Sequence, residues 1–345
     1  MPEALRARVD RTLRDLVQRE TALLLAVDPQ LAPITDQLRA AVADGKRLRA
    51  AFCYWGWRAS GQPDSEAVVR AAAAMELVHA AAVVHDDLID GSLIRRGAPT
   101  AHVALREAIP GPAARRAGGR SLAMLVGDLL MSWAGQLFAE CGLPAAYLAR
   151  ARPLWATLAR ELIAGECLEI LRTSAAPSAE SSLEIIRYKT AKYTVEHPLH
   201  LGAKLAGAPP ALIDAFSAYG LPLGEAFQLR DDLLGVFGDP RQTGKSNLDD
   251  LAGAKPTALL ALALTGATPA DRTRLRDLVG RGDLGPTELA SVREVLERSG
   301  ARSRVEEMIT QRADAARAAV ARARLPTAAA DALSHLVAAA TTRSS

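Results

Sequence analysis

Apolar residues recur at steps of three and four positions along most of the chain, the spacing that places them on one face of an α-helix. We therefore expect about eight to twelve helices in an all-α fold. The segments between these stretches are rich in Gly, Pro, Ser or charge, none is typical of a linker between domains, and no repeat of fixed period occurs. The pattern predicts a single-domain helical bundle over residues 1–345. The stretches are Leu5–Leu24, Glu66–Asp90, Leu122–Ala139, Pro153–Leu171, Leu183–Leu205, Ala211–Phe237, Pro256–Leu264 and Val305–Ala321.

Composition supports a helical globular protein and removes several function classes. Hydrophobic residues make up 49% of the chain and aromatic residues only 4%, which favours helices with a large core over strands. The net charge of +3 is too small to predict a nucleic-acid partner. Three cysteines without ligand spacing predict neither a disulfide framework nor a zinc site. The cysteines fit a reducing cytoplasm, and the charged N-terminus and the short apolar run Ala258–Leu264 predict a protein that is neither exported nor membrane-spanning.

Three aspartates close the apolar stretch Met75–Asp90. Asp86 and Asp90 stand at i and i+4, so their carboxylates share one helix face with Cβ atoms about 5–6 Å apart, whereas Asp87 is rotated by about 100°. Two carboxylates in this arrangement repel each other unless a cation lies between them. On its own, such a pair is more often a solvated helix end than a metal site.

A second acidic group lies in another apolar helix. Asp231 and Asp232 are adjacent, and Gln228 lies three residues before Asp231 on the same face. Carboxylate oxygens on rigid helices suit Mg²⁺, which is commonly held by one or two carboxylates together with substrate phosphates. Two acidic groups on apolar helices therefore predict a clamp for a diphosphate.

Basic residues near predicted turns complete a diphosphate site. Arg95 and Arg96 follow the first acidic group closely, and guanidinium groups match phosphate oxygens bidentately. Lys46 and Arg49 are three residues apart at the start of another apolar helix, where anions are favoured. Further basic positions are Lys189 beside Thr190, Lys245 and Lys255. Together these segments provide cations for two diphosphates, one held through Mg²⁺ and one held directly.

In order along the chain, these segments resemble the motifs of the trans-isoprenyl diphosphate synthases, the polyprenyl synthetase family that includes bacterial geranylgeranyl diphosphate synthases. The resemblance covers about residues 45–255 and rests on GKRLR, ELVH, HDDLIDGSLIRRGAPTAH, LVGDLL, YKTAKYTVEHPLHLGAKLAG and FQLRDDLLGVFGDPRQTGK. It implies an all-α isoprenoid-synthase fold, a deep cavity between the aspartate-rich helices, and a homodimer. It also implies head-to-tail condensation of isopentenyl diphosphate with dimethylallyl, geranyl or farnesyl diphosphate.

The resemblance assigns a role to each candidate residue. The resemblance implies about three Mg²⁺ ions on the allylic diphosphate. The implied metal ligands are Asp86, Asp87, Asp90, Asp231 and Asp232. The implied isopentenyl diphosphate site is Lys46, Arg49, His79 and Arg96. The implied contacts to the allylic diphosphate or its metals are Arg95, Lys189, Gln228, Lys245 and Lys255. The implied catalytic residues are Lys189, Thr190 and Gln228, the last two as dipoles that stabilise a carbocation.

Two positions depart from the family pattern. Gly235 stands where the second acidic motif usually has a third aspartate, and Asp44 replaces the first glycine of the doublet before Lys46. The first aspartate of the second motif is present as Asp231, so we still expect activity. The alternatives are a class I terpene cyclase, a non-catalytic partner subunit and a helical binding protein. The two diphosphate sites argue against a cyclase, and the intact acidic groups argue against a silent subunit.

The product length depends on side chains below the first acidic group. Ala82 and Ala81, four and five residues before Asp86, are small, whereas the family uses bulky aromatic residues there to stop growth at fifteen carbons. Met75 lies about 16 Å from Asp86 along a helix axis, a depth that suits about twenty carbons. We therefore expect geranylgeranyl diphosphate, with farnesyl or longer products as alternatives if residues such as Phe52 and Trp55 form the floor. Val78 is a further candidate obstacle.

Overall fold

The computed structural model describes residues 3–173, 175–240 and 247–341 and is helical through most of them. A two-residue antiparallel ribbon pairs β1 (Ile94–Arg95) with β2 (Ala98–Pro99). Short 3-10 turns span Pro29–Leu31 and Leu105–Ala108, and a π-helix spans Arg187–Glu196. The all-α prediction is confirmed. The α-helices are α1 Glu3–Val27, α2 Ala32–Ala43, α3 Leu48–Ala59, α4 Glu66–Asp90, α5 Ala101–Ala104, α6 Arg115–Ala139, α7 Ala145–Arg172, α8 Ala179–Ile186, α9 His197–Ala206, α10 Pro210–Phe237, α11 Asp249–Ala252, α12 Ala258–Gly266, α13 Pro269–Leu278, α14 Pro286–Arg298, α15 Ala301–Arg322 and α16 Thr327–Thr341.

The described residues contain more helices than expected. Two of the additional helices, α5 and α11, are only four residues long and leave no periodic pattern in the sequence. The predicted stretch Leu183–Leu205 is interrupted because the π-helix separates α8 from α9. Helices α13 and α14 are rich in charge and bury few side chains, so the apolar spacing did not reveal them.

The chain packs into two compact units. The first unit comprises Met1–Ala151 with Leu201–Gly207, and the second comprises Arg152–His200 with Ala208–Ser345. Single-domain organisation over 1–345 stays a prediction.

Helix α4 is the centre of the first unit. It begins at the Ser65 side chain, which accepts a hydrogen bond from the Val68 amide, and ends at Gly91, whose φ of 69° suits a residue without a Cβ. It packs against α1, α2, α3 and α6, and the alanines at 71–74 are fully buried. This packing holds the acidic end of α4 in a fixed position at the edge of the unit.

By length and composition alone, α4 and α6 are apolar enough to cross a membrane. The apolar part of α4 is 72% buried within the protein and that of α6 is 44% buried. Such burial is typical of the central helices of a folded bundle. The absence of a membrane span and the cytoplasmic location stay predictions.

Helix α10 is the centre of the second unit. It packs against the π-helix and α15, with Leu229, Leu233, Val295 and Val305 among the residues of a continuous apolar core. The polar residues of the second acidic group therefore project from a rigid, well-packed helix.

Candidate active site

The first acidic group lies at the C-terminal end of α4. Asp86 is half-buried, Asp90 is exposed, and Asp87 is buried. The Arg95 Nη2 lies 3.3 Å from Asp86 Oδ2, and Arg95 Nε donates to Asp87 Oδ1 at 2.8 Å. Although burial disfavours the charge of the guanidinium, the hydrogen bond to Asp87 and the nearby carboxylates raise the pKa of Arg95. Arg95 therefore fixes Asp86 and Asp87 relative to the β-ribbon that carries it.

A stripe of accessible residues follows residues 71–78 of α4, which are all buried. His79, Ala82, Val83 and Asp86 are partly accessible and Asp90 is exposed, at spacings of three and four residues. Ala81 is fully buried, so Ala82 lies on this stripe and Ala81 does not. Met75 and Val78 are also buried, which ends the accessible stripe at His79, about 10 Å from Asp86 along the axis.

The loop before α3 holds its basic residues by an unusual backbone. Arg47 has a φ of 52°, in the left-handed region, and its side chain is buried. It forms an ion pair with Asp10 at 2.7 Å and donates to the Val42 carbonyl at 2.6 Å. These contacts offset the strain and fix the loop. Lys46 remains exposed, whereas Arg49 is buried in the first turn of α3.

A buried glutamate ties α3 to α4. The Ala50 amide, in the first turn of α3, donates to Glu76 Oε1 at 2.8 Å, and Glu76 is only 4% exposed. A carboxylate at this position accepts from an amide that has no partner within the helix, and its negative charge interacts favourably with the N-terminal end of the helix dipole. Glu76 lies three residues before His79, so it positions the start of α3 beside the accessible stripe.

The β-ribbon joins the same region. Arg96 also has a left-handed φ of 52°, and its Nη1 donates at 2.7 Å to the carbonyl of Asp44, two residues before Lys46. Burial and the charges of Arg49 and Arg96 lower the pKa of His79 well below its usual value, so its imidazole is neutral at pH 7. The structure thus brings together His79, Arg49 and Arg96, with Lys46 in the adjoining loop.

In the second unit, three predicted residues form a hydrogen-bonded chain. Thr190 Oγ1 donates to Gln228 Oε1 at 2.8 Å, and Gln228 Nε2 donates to Asp232 Oδ1, also at 2.8 Å. Thr190 and Asp232 are buried, and Gln228 is half-buried. The chain links the π-helix to α10, so the orientation of the Asp232 carboxylate depends on both elements.

Two glycines allow this close packing. A Cβ at Gly165 of α7 would lie 2.3 Å from the Lys189 amide nitrogen, and one at Gly224 of α10 would lie 2.3 Å from the Ala191 Cα. Both neighbours are backbone atoms, so a side chain at either glycine would displace the π-helix itself. A π-helix is uncommon and is frequently found at functional sites. Here it brings Lys189 against α7 and Thr190 against α10.

Lys189 contacts two acidic residues that the sequence analysis did not select. Its Nζ lies 2.6 Å from Glu169 Oε1 and 3.0 Å from Glu166 Oε2. Lys255 Nζ lies 3.9 Å from both Glu169 Oε1 and Asp250 Oδ1. Lys189 and Lys255 are therefore both held among carboxylates of the second unit. Lys245 lies outside the described residues.

Asp232 carries the largest electrostatic cost in this group. Burial, opposed in part by the Gln228 hydrogen bond, and the charges of Asp250, Asp231 and Glu169 raise its pKa to about 8. A carboxyl group in this position keeps its proton at neutral pH unless a cation compensates its charge.

The donor set fits Mg²⁺. Within 3–173, 175–240 and 247–341, no three Asp, Glu, His or Cys side chains already converge as a metal site. The acidic groups nevertheless consist of carboxylate oxygens, which suit a hard divalent ion. In the second unit, Asp232 is buried among other carboxylates, and a bound cation would reduce the repulsion between them. Asp231, Asp232, Asp250 and Glu169 are the residues that would hold it there, and Asp86 and Asp90 in the first unit.

Comparisons with known proteins agree with this chemistry. The sequence profile described as "Polyprenyl synthetase" matches residues 32–297. A (2E,6E)-farnesyl diphosphate synthase of Mycobacterium bovis is 31% identical over 304 residues, which cover 84% of this chain and 78% of the relative. A geranylfarnesyl diphosphate synthase of Aeropyrum pernix is 32% identical over 243 residues, which cover 69% of this chain and 71% of the relative.

The fold has close counterparts among solved structures. A geranylgeranyl pyrophosphate synthase of Corynebacterium glutamicum, crystallised with isoprenyl diphosphate and magnesium, superposes with a TM-score of 0.94 at 36% identity and with 99% of each chain covered. The fold is therefore that of the isoprenyl diphosphate synthases. The chain belongs to the polyprenyl synthetase family. It is a trans-prenyltransferase, a prenyl diphosphate synthase, as the resemblance implied.

Proposed function

We propose that this protein condenses isopentenyl diphosphate with an allylic diphosphate in a Mg²⁺-dependent reaction and releases geranylgeranyl diphosphate. The observation that carries the metal dependence is the buried Asp232, whose pKa is raised to about 8 by burial and by the acidic residues around it. A site that destabilises its own carboxylates is suited to bind a divalent cation. The solved relative from Corynebacterium glutamicum, with isoprenyl diphosphate and magnesium, supports the same assignment.

The lysines, Thr190 and Gln228 of the second unit act on the allylic diphosphate. When bound, Mg²⁺ stabilises the negative charge that develops on the departing pyrophosphate. Lys189 and Lys255 supply additional positive charge, and we assign Lys245 the same role. Lys189 is held by Glu166 and Glu169 at 3.0 and 2.6 Å, so its ammonium group is preorganised for the diphosphate. Thr190 and Gln228 offer dipoles that stabilise the allylic carbocation without forming a bond to it.

The basic residues near the start of α3 fit the second substrate, isopentenyl diphosphate. Arg49 and Arg96 provide guanidinium groups for the diphosphate of isopentenyl diphosphate, with Lys46 in the exposed loop. His79 is neutral because burial and these arginines lower its pKa, so it donates a hydrogen bond without adding charge. The isopentenyl double bond attacks the carbocation, a proton leaves the new chain, and we assign the departing pyrophosphate as its acceptor.

The separate assignment of the two diphosphates predicts different kinetic defects. Arg49→Gln should raise the KM for isopentenyl diphosphate by about tenfold or more, because it removes a charged hydrogen-bond donor from that diphosphate. Lys189→Gln should chiefly impair use of the allylic primer. Steady-state kinetics with each substrate varied in turn measures both effects. An equal change for the two substrates in both variants would mean that one shared site binds them.

Product length is assigned from Ala82 and from the relatives, because the accessible stripe of α4 ends at His79, short of the Met75 depth. Ala82 leaves space one turn below Asp86, which disfavours a fifteen-carbon limit at that position. Each added isoprene unit buries about five carbons, worth on the order of 4 kcal/mol at full burial, so growth continues until side chains block it. The relatives described above include a farnesyl and a geranylfarnesyl diphosphate synthase. A twenty-carbon product lies between these lengths.

Filling the stripe should shorten the product. Ala82→Phe places an aromatic ring on the face that carries Asp86, and we expect the main product to fall to fifteen carbons or fewer, as measured by chromatography of the dephosphorylated products. Ala7→Phe, at an exposed position of α1, is the matched control and should leave the distribution unchanged. If Ala82→Phe makes the same products as the parent, the chain does not grow along this face.

One assay tests the proposed function directly. Purified protein is incubated with Mg²⁺, isopentenyl diphosphate and each allylic primer, and the products are identified by mass. A longer prenyl diphosphate is expected, and it should be absent with chelator. Release of a cyclic hydrocarbon from an allylic diphosphate alone would identify a terpene cyclase instead.

We also propose that the protein acts as a cytoplasmic homodimer. Met124 and Leu125 on α6 are 48% and 50% exposed, an apolar pair that a second copy would cover. Light scattering of the purified protein measures the mass, which for a dimer is twice the 36.5 kDa of the chain.

A further inference from the structure

Positive charge is concentrated in one short segment of the first unit. Residues 91–120 contain six arginines, one glutamate and no other charged residue apart from histidine, giving a net charge of +5. The whole chain carries +3, so the other residues sum to −2. Adding the three aspartates at the end of α4 still leaves +2 over residues 86–120. Within this segment the basic residues therefore outnumber the acidic ones.

The same segment exposes large apolar side chains. Leu93 is 59% exposed, Ile94 is 53% exposed, and Ile89 at the end of α4 is 45% exposed. Leu93 and Ile94 are adjacent, at the start of the β-ribbon. Isolated apolar residues are ordinary on a protein surface, but three on one short segment beside several arginines form an amphipathic surface.

Hydrogen bonds place the apolar and basic residues at one end of the first unit. The Arg120 Nη1, on α6, donates to the Leu88 carbonyl, next to Ile89, at 3.1 Å. Thr100 connects the other side, since its amide donates to the Leu93 carbonyl at 3.1 Å and its hydroxyl lies 3.1 Å from His102 Nδ1. Burial and the charges of Arg106, Arg120 and Arg116 lower the pKa of His102. The charges of these arginines therefore act close to His102, which Thr100 links to the Leu93 carbonyl.

We propose that Ile89, Leu93, Ile94, Arg116 and Arg120 form a docking face for the surface of a bilayer that contains anionic phospholipid. Apolar side chains that enter the headgroup region and arginines that contact lipid phosphates together give reversible membrane association. Nucleic acid fits less well, because residues 86–120 contain no Phe, Tyr or Trp side chain for stacking on bases. The face lies on the surface and requires no helix to cross the membrane. This inference rests on charge and exposure and not on the proposed reaction.

Vesicle binding tests the proposal. The full-length protein is mixed with vesicles of phosphatidylcholine alone or with about 30 mol% of the anionic lipid phosphatidylglycerol. We expect cosedimentation with the anionic vesicles at low salt, weaker binding in high salt, and little binding to neutral vesicles. The double variant Leu93→Ser/Ile94→Ser should lower the partition coefficient by about tenfold or more. Arg116→Gln/Arg120→Gln should lower it by about fivefold per arginine.

Matched variants separate this face from general surface effects. Leu23→Ser/Val27→Ser removes two apolar side chains of α1 that are 60% and 78% exposed, and Arg11→Gln/Arg14→Gln removes two exposed α1 arginines. Both controls should bind like the parent. The proposal is wrong if the parent does not bind anionic vesicles, or if the controls weaken binding as much as the face variants. Unchanged binding of Leu93→Ser/Ile94→Ser would identify an arginine-only surface, suited to an acidic protein, and would also overturn it. Prenyl transfer with soluble substrates should be unchanged in all four variants and is scored separately.

Discussion

Replacing Asp86 with alanine should lower turnover by about a thousandfold or more while leaving the fold intact, because the lost carboxylate stabilises the charge of the departing diphosphate and not the core. The Asp86 side chain is 24% exposed at the end of α4. Its partner Arg95 keeps the hydrogen bond to Asp87, so no buried charge is left alone. Turnover with saturating substrates and Mg²⁺ measures the effect, and thermal unfolding reports the fold.

Asp15→Ala is the control for this substitution. Asp15 is an exposed aspartate of α1 in the same unit, and its removal should leave turnover within a factor of about two of the parent, since surface substitutions usually have small effects. Turnover of Asp86→Ala within tenfold of the parent would remove metal-assisted ionisation at this group from the mechanism.

Asp232→Asn should stabilise the metal-free protein at alkaline pH while abolishing most of its activity. The folded-state pKa of Asp232 is raised to about 8, far above the unfolded value. Its contribution to stability is therefore fully present below about pH 4 and is lost as the pH rises to about 8, because only the unfolded chain releases the proton. Asparagine cannot ionise and still accepts the Gln228 hydrogen bond. The gain at pH 8 is on the order of several kcal/mol as an upper bound.

Thermal unfolding in chelator between pH 5 and pH 9 measures this difference. The melting temperature of the parent should fall relative to that of Asp232→Asn as the pH rises, and added Mg²⁺ should restore the parent alone. Asp214→Asn, at an exposed position of the same helix, is the control and should follow the parent. Parallel curves for the parent and Asp232→Asn would show that Asp232 carries no such cost.

The helical class and the acidic helix ends could be predicted from the sequence because both depend on local spacing. Asp86 and Asp90 share a face whatever surrounds α4, and the order of the motifs along the chain was enough to indicate the family. Glu166 and Glu169 have a comparable spacing, i and i+3 on an apolar helix, and the same argument applied to α7 would have found them. Asp250 lies in the four-residue helix α11, which is too short to show a helical pattern in the sequence.

Other features depend on tertiary contacts that no local pattern records. The π-helix arises where Gly165 and Gly224 admit its backbone from two helices. Glu76 links two helices only because α3 begins beside it, where the Ala50 amide donates to Glu76 Oε1 at 2.8 Å. The burial of Arg47 likewise depends on Asp10, thirty-seven residues earlier. These side chains have ordinary sequence surroundings, and their roles follow from which elements pack together.

The ion pair between Arg47 and Asp10 restricts how far the enzyme can be shortened. The family match spans residues 32–297, so trimming the chain to it would remove α1 and with it Asp10. Arg47 would keep its bond to the Val42 carbonyl but lose its carboxylate partner, so the loop carrying Lys46 would lose one of the contacts that fix it. At the other end, Arg230, next to Asp231, pairs with Glu306 at 2.6 Å and would lose that partner too. We therefore expect the smallest active form to extend beyond residues 32–297 in both directions, so fusions should be attached without replacing α1 or α15.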